Sequence, residues 1–407
     1  VLSLRLTRGA HPLVLLRRVL VAAAAAGAAF LLLCALGYAV AHPKRPEEGV
    51  VRLLWCAVPC AAVVHFALAV ARTDPATRPR DGLDAIGLGP VRLALLAAAS
   101  TAFTCGLGSG AALLVYLELR GDLGGTPLSG TANRLLDGGH ALPWAATVTL
   151  LALLPAVSAG VCALVLRPRE EQRKRQGPAH ARPQPDDTSA PQRGASPRPS
   201  YAGLPWGITV IATGLALVAY VGHAPAPEPG RLLALPGQDG GASPGLLGGW
   251  LLTVFGLVLA GPGLTHWCGA ALAAGRPGPV RMLAGRMLQD AATRLGRPLG
   301  VLCAVAAGAL AAAELYGVAW EGAGPRPFGP LTGLGAAVVM ACATATAITA
   351  ALDTRQVRSE TTAALLRLGL PGSLLRGAAA VRAVALVAVL APLTWVVAEL
   401  AALPLTR

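Results

Sequence analysis

The stretch VLVAAAAAGAAFLLLCALGYAVA, residues 19–41, contains no charged side chain in 23 positions. A helix rising ~1.5 Å per residue needs about 20 residues to cross the ~30 Å hydrocarbon core of a bilayer, so this stretch is long enough to span. Arg17-Arg18 precede it, and Ala39-Val40-Ala41 has the A-x-A form of a leader cleavage site. Its apolar run exceeds the ~7–15 residues of a secretory leader, which makes a retained anchor the expectation. Eight further segments read the same way: 50–71, 93–117, 143–166, 204–222, 246–272, 299–318, 331–352 and 379–401. The chain is 54% hydrophobic and 13% charged over 407 residues. Those apolar residues come in blocks instead of stripes, which excludes the ordinary soluble class. The same apolar fraction excludes a disordered or collagen-like chain, despite 49 Gly and 33 Pro. The expected fold is all-α: a polytopic transmembrane helical bundle of about nine spans.

The formal charge of +14 would suggest nucleic-acid binding in a soluble protein. Here it is better read through its distribution. With the N-terminus placed inside, 26 of the 34 basic residues fall on the inner segments, while the acidic residues divide ten and ten. A bias in Lys/Arg without one in Asp/Glu is the positive-inside rule. The expected topology is therefore N-terminus cytoplasmic in the plasma membrane, with no nucleic-acid partner. All eight cysteines lie in apolar blocks and none forms a CxxC pair. Cys56 and Cys60 share a helix face, but His65 falls about 140° further round and no fourth ligand is evident, so no metal site is expected.

One long linker, 167–203, opens RPREEQRKRQGPAHARPQPDDTSAPQRGASPRPS. Its Pro, Arg, Gln and Ser content, with almost no large apolar residue, predicts a disordered cytoplasmic tether. A shift of 282 residues then brings the two ends of the chain into register. Val19-Leu20 falls on Val301-Leu302, His42-Pro43-Lys44 on Gly324-Pro325-Arg326, and Ile86-Gly87-Leu88-Gly89-Pro90 on Leu368-Gly369-Leu370-Pro371-Gly372. Six spans separate the copies, so both units have the same orientation and the duplication is parallel. The expected organisation is a four-span unit over 1–166, the linker 167–203, an inserted two-span segment over 204–275, and a second unit over 276–407. The second unit has three spans where the first has four, so the expectation is either nine spans or a tenth that is missing from this chain.

The aligned inner loops hold the candidate site. In ALDTRQVRSETTAALLRLGLPGSLLRGAAAVRA (351–383), a short amphipathic helix is expected from Val357 to Leu368. Val357, Ala364, Leu365 and Leu368 would share one face, with Glu360 and Arg367 projecting together from another. Arg358 falls near Leu365 on that helix and would have to snorkel, Pro371-Gly372 ends it, and Ser373 is placed to cap the next helix; Arg355 and Gly369 complete the candidate coupling residues of this loop. The first loop, ARTDPATRPRDGLDAIGLGPVR (71–92), repeats the plan more loosely, with Arg78, Arg80 and Asp81 facing water and Gly87 at the break. A helix lying along the inner surface between two spans can take a push from a soluble partner.

The run ETTAALLRLGLP at 360–371, followed by a span, resembles the FtsX-like (MacB-type) permease family of ABC transporters. That family carries E-x-x-x-L-R-x-L-G-A between its second and third spans; here Glu360 stands one residue further from Gly369. Arg78 and Ala85 occupy the matching positions of the first unit. The resemblance covers 1–166 and 280–407, and the arrangement is similar to the duplicated form of the family found in actinobacteria. It implies a permease subunit that couples ATP hydrolysis by a separate ATP-binding subunit to movement of a lipophilic or peptide-like substrate, by mechanotransmission through the two loops. Its partners would be that ATPase, membrane lipid and, in a dimeric assembly, a second permease copy. The chain has no G-x-x-x-x-G-K-[ST], so no enzyme activity or cofactor of its own is expected, ATP being bound by the partner.

Ionisable groups within spans are functional candidates by default, because each is costly in hydrocarbon unless paired or wetted. His65, Glu118, His266, Glu314 and Glu399 are those candidates, the glutamates near outer span ends and the histidines towards inner ends. They carry the alternative reading of an ion-coupled secondary transporter or solute channel; a third reading, a non-transporting membrane regulator, is implied by the resemblance, since some members of that family are regulators.

Overall fold

A computed structural model describes residues 12–73, 90–122, 142–166, 203–223, 244–275, 278–321, 330–357, 359–367, 369 and 371–406. Regular structure among the described residues is helix throughout. In chain order the helices are α1 Pro12–Ala41, α2 Pro46–Trp55, α3 Ala57–Thr73, α4 Pro90–Arg120, α5 Trp144–Val165 and α6 Gly203–His223. They continue with α7 Pro244–Ala273, α8 Pro279–Glu321, α9 Pro330–Val357, α10 Ser359–Arg367 and α11 Gly372–Thr406. Among the described residues nine helical segments are long and apolar enough to cross a membrane, with α2 and α3 together making the second. The molecule is a polytopic α-helical membrane protein.

Six helices, α1, α2, α4, α7, α8 and α9, begin on proline. The first N–H of a helix has no intrahelical partner, so proline loses nothing there and its fixed φ suits the first turn. Inside the membrane a hydroxyl must find its acceptor nearby. The buried Thr101, Thr147, Thr253, Thr265, Thr346, Thr349 and Thr394 each donate to a carbonyl three or four residues back, at 2.6–3.1 Å.

Two spans differ from their expected form. The second breaks at Cys56, because Pro59 has no N–H for the Trp55 carbonyl and its ring crowds that group. Only α3 then forms the deep part of the span, and α2 lies against the end of α1. The seventh was expected from 299, yet α8 already begins at Pro279 and runs 43 residues, about 64 Å at the usual rise. Its first half is held by a stripe of Ala284, Leu288, Ala291 and Ala292, all buried, while Arg281, Arg286, Asp290, Arg294 and Arg297 face outward. That 3.6-residue pattern extends the helix well past the ~30 Å core.

Two bundles form. The first comprises α1, α3, α4 and α5; the second comprises α6, α7, α8 and α11. In each, the leading helix packs on the two spans that follow it: α1 on α2–α3 and α4, and α8 on α9 and α11. Yet α9 also packs on α3 and α1, as extensively on α3 as on α8. Its Cys342 joins Val21, Ala25, Val63, Phe66, Cys105 and Leu154 in the core of the first bundle. Gly27 of α1 permits this approach, since a Cβ there would stand 2.6 Å from Val338 of α9. Thus α9 bridges the bundles.

The second bundle is built on glycine. A Cβ on Gly261 of α7 would collide with the Gly296 carbonyl of α8, and one on Gly296 would collide with Pro262. Further along the same antiparallel seam, Gly269 meets Gly285, and Thr265 reaches across to the Ala292 carbonyl at 3.3 Å. Lipid solvates apolar side chains as well as protein does, so close backbone approach, not burial from water, holds such helices together.

Candidate functional site

The candidate site is the surface at the end of the bundle where α9, α10 and α11 join. The last turn of α9 is tied by Thr354, whose hydroxyl donates to the Ala350 and Ala351 carbonyls at 2.8 Å. Asp353 is half-buried there and Arg355 is exposed. Ser359 donates to the Gln356 carbonyl at 2.7 Å across the junction into α10. The nine residues of α10 are amphipathic and pack mainly against the end of α9, with little hold on the rest of the bundle.

Gly369 closes α10. Its φ of +87° is left-handed, and its N–H bonds to the Leu366 carbonyl at 3.0 Å, a glycine C-cap of the usual kind. Arg367, exposed in the last turn, complements the negative end of the helix dipole. Glu360, second residue of α10, stands at the opposite and positive end. The next helix starts two positions earlier than expected: Leu374 N–H bonds to the Pro371 carbonyl at 3.0 Å, so Pro371 takes the N-cap place and Ser373 lies inside the first turn. A Cβ on Gly377 of α11 would touch Val280 of α8 at 3.5 Å, so the starts of these two helices lie together. Among the described residues of this end Arg281, Arg286, Arg355, Arg367 and Arg376 are exposed.

Of the other loop residues, Arg78, Arg80, Asp81, Gly87 and Arg358 lie outside the described residues, as does the linker over 167–202. The flanks of the first loop are described. Arg17 of α1 is only 7% exposed and donates through Nη1 to Thr73 Oγ1 at 3.2 Å, so the end of α3 that leads into that loop is tied to the start of α1.

The five intramembrane candidates do not assemble into one site. His65 is exposed on α3, Glu118 half-buried on α4, His266 half-buried on α7, Glu314 exposed on α8, and Glu399 half-buried on α11. Glu399 accepts from Trp395 Nε1 at 3.1 Å. Among the described residues no three His, Cys, Asp or Glu side chains gather as metal ligands would. All eight cysteines are free thiols, and Cys56 Sγ reaches the Leu31 carbonyl at 3.7 Å.

Sequence reading missed a polar clasp at the opposite end. In the α1–α2 turn, Tyr38 donates to Glu48 Oε2 at 2.5 Å, Arg45 pairs with Glu48 Oε1 at 3.1 Å, and the Arg52 guanidinium sits 3.5 Å over the Tyr38 ring. His42 stacks on the other part of this ring system with centroids 4.2 Å apart. The available signal was Glu48 with Arg52 four residues on, behind Pro46 at a helix start. Tyr38→Phe should lower the melting temperature in detergent by a few degrees, on the order of 1 kcal/mol, since one charge-assisted bond is lost while the ring stays. An unchanged melting curve would show that the clasp holds nothing.

Comparison with protein-family models, with curated proteins and with solved structures finds no match to this chain.

Proposed function

We propose that this chain is the permease subunit of an ABC transporter of the FtsX-like kind, resident in the plasma membrane with its N-terminus cytoplasmic. ATP is bound and hydrolysed by a separate subunit, and the substrate is lipophilic or peptide-like. The observation that carries this reading is α10: a nine-residue amphipathic helix slung between two spans, capped by a left-handed glycine, and only lightly packed on the bundle. A helix held at its two ends moves as a lever when pushed.

The bridging place of α9 gives that lever a destination. Force on α10 passes directly into α9, which touches α3 and α1 of one bundle and α8 of the other. Displacing α9 changes how the bundles meet, which is the kind of rigid-body motion that transport requires. The basic character of this end suits an acidic docking surface on the motor.

Purification of the full chain from native membranes under mild detergent tests the reading. An ATP-binding subunit is expected to co-elute and to hydrolyse ATP faster in the complex than alone. Recovery without any ATP-binding protein, together with flux that follows a proton or sodium gradient, would instead establish an ion-coupled transporter.

A further inference from the structure

Arg17 of α1 is 7% exposed, and Thr73 of α3, which accepts from its Nη1, is 8% exposed. Thr73 gives its own hydroxyl proton to the Val70 carbonyl at 3.0 Å, so its oxygen is left to accept and fixes that corner of the guanidinium. The other two nitrogens, Nε and Nη2, are buried without a hydrogen-bond partner. Among the described residues no carboxylate is paired with them. Burial of an unpaired charge is strongly unfavourable. A lysine or histidine would escape it by losing a proton, which arginine does not do. Nε and Nη2 are neighbours whose N–H bonds run side by side, the edge that takes two oxygens of one anion. The open half of Arg17 is therefore shaped for a phosphate or a carboxylate.

The place of Arg17 on α1 separates the two. The uncharged run 19–41 measures about 34 Å at the usual rise, enough to fill the ~30 Å core. Arg17 stands two residues outside it, at the depth of lipid headgroups. An apolar strip leads to it. Gly27 and Leu31 of α1 face α9: a Cβ on Gly27 would meet Val338, and one on Gly335 would touch Leu31 at 3.6 Å. Leu20 lies on the same line of α1, two turns nearer its start, yet is 43% exposed, and Leu16 is 54% exposed. By this level α9 has left α1, and the uncovered strip ends beside Arg17. Arg18, Arg72 and Arg92 stand at the same end of the bundle and draw anionic lipid.

We propose that Arg17 binds the phosphodiester of one phospholipid at the junction of α1 and α3. Nε and Nη2 donate to two phosphate oxygens, and an acyl chain lies on Leu16 and Leu20. The long arginine stem turns its open edge to the strip without moving a helix. This site is independent of whether an ATPase drives the protein.

Native mass spectrometry of the full chain, titrated with phosphatidylglycerol, tests the assignment. One lipid is expected to bind well ahead of the rest. Arg17→Gln should weaken it roughly 10- to 100-fold, as for other charge-assisted contacts. Arg17→Lys keeps the charge but lacks the fork and should fall between; it carries the test if Arg17→Gln gives no monodisperse peak. Arg72→Gln, at an exposed neighbour of Thr73, should leave the lipid in place. Absence of a tight lipid from the parent, equal retention by the Arg17 variants, or equal loss on Arg72→Gln would each overturn the proposal. So would displacement of the lipid by inorganic phosphate, which would make the ligand a soluble anion. The sequence after Thr73 carries Asp74, Asp81 and Asp84. A tight lipid that appears only when all three are changed to Asn would overturn it too, by showing that the chain supplies the anion itself.

Discussion

Gly296→Leu is expected to dismantle the second bundle. A Cβ at 296 would meet the Pro262 backbone directly, with Pro262 N at 2.6 Å and Thr265 Oγ1 at 2.8 Å. No rotamer relieves a clash with backbone, so α7 and α8 must separate along their length. Overpacking in a close-packed core typically costs about 1–3 kcal/mol, and more where backbone is the obstacle. Separation would also cost Thr265 its cross-helix reach to the Ala292 carbonyl. The expected readout is loss of the monodisperse peak, or a fall of many degrees in the melting temperature, by fluorescence-detected size exclusion. Gly308→Leu, at a site where a Cβ meets nothing within 4 Å, is the matched control and should leave the profile unchanged. Equal behaviour of the two variants would show that the glycine seam is not what joins α7 to α8.

Removal of the two charges at the ends of α10 should have the largest functional effect. Glu360→Ala and Arg367→Ala are each expected to reduce the chain's stimulation of its partner ATPase roughly 10- to 100-fold, the equivalent of ~1.5–3 kcal/mol for a charge-assisted contact. Insertion, size-exclusion profile and melting temperature should stay near those of the parent. Both charges also suit the dipole of α10, and a purely local role there is worth only ~0.3–1 kcal/mol. A variant that retains full stimulation, or one that loses fold and stimulation together, would place these residues in the helix and not in coupling.

Much of the candidate site was legible from the chain alone. The amphipathic stretch near 357–368 became α10 at Ser359–Arg367, while its end, expected at Pro371-Gly372, falls earlier, at the left-handed Gly369. The neighbouring cap at Ser373 was displaced because the Pro371 carbonyl already accepts the first bond of α11. The early start of α8 was not read: its signal is the spacing of Ala284, Leu288, Ala291 and Ala292, but the five charged side chains over 281–297 lower the hydropathy of that stretch below that of a span. The Tyr38 clasp was not legible, since it needs the turn at residues 42–45 to fold α2 back so that Glu48 and Arg52 return to a side chain of the preceding helix.

The sequence by itself determined the class of the molecule and the apolar segments that form the nine long helices among the described residues. These depend on the cost of carrying each side chain into hydrocarbon, which is local and nearly additive along the chain. Only the tertiary structure decided that α9 joins the first bundle and that Gly261 and Gly296 face one another. A span is apolar on every side, so hydropathy does not mark the face it packs on. Which faces meet is settled by side-chain size and close backbone approach between segments far apart in the chain.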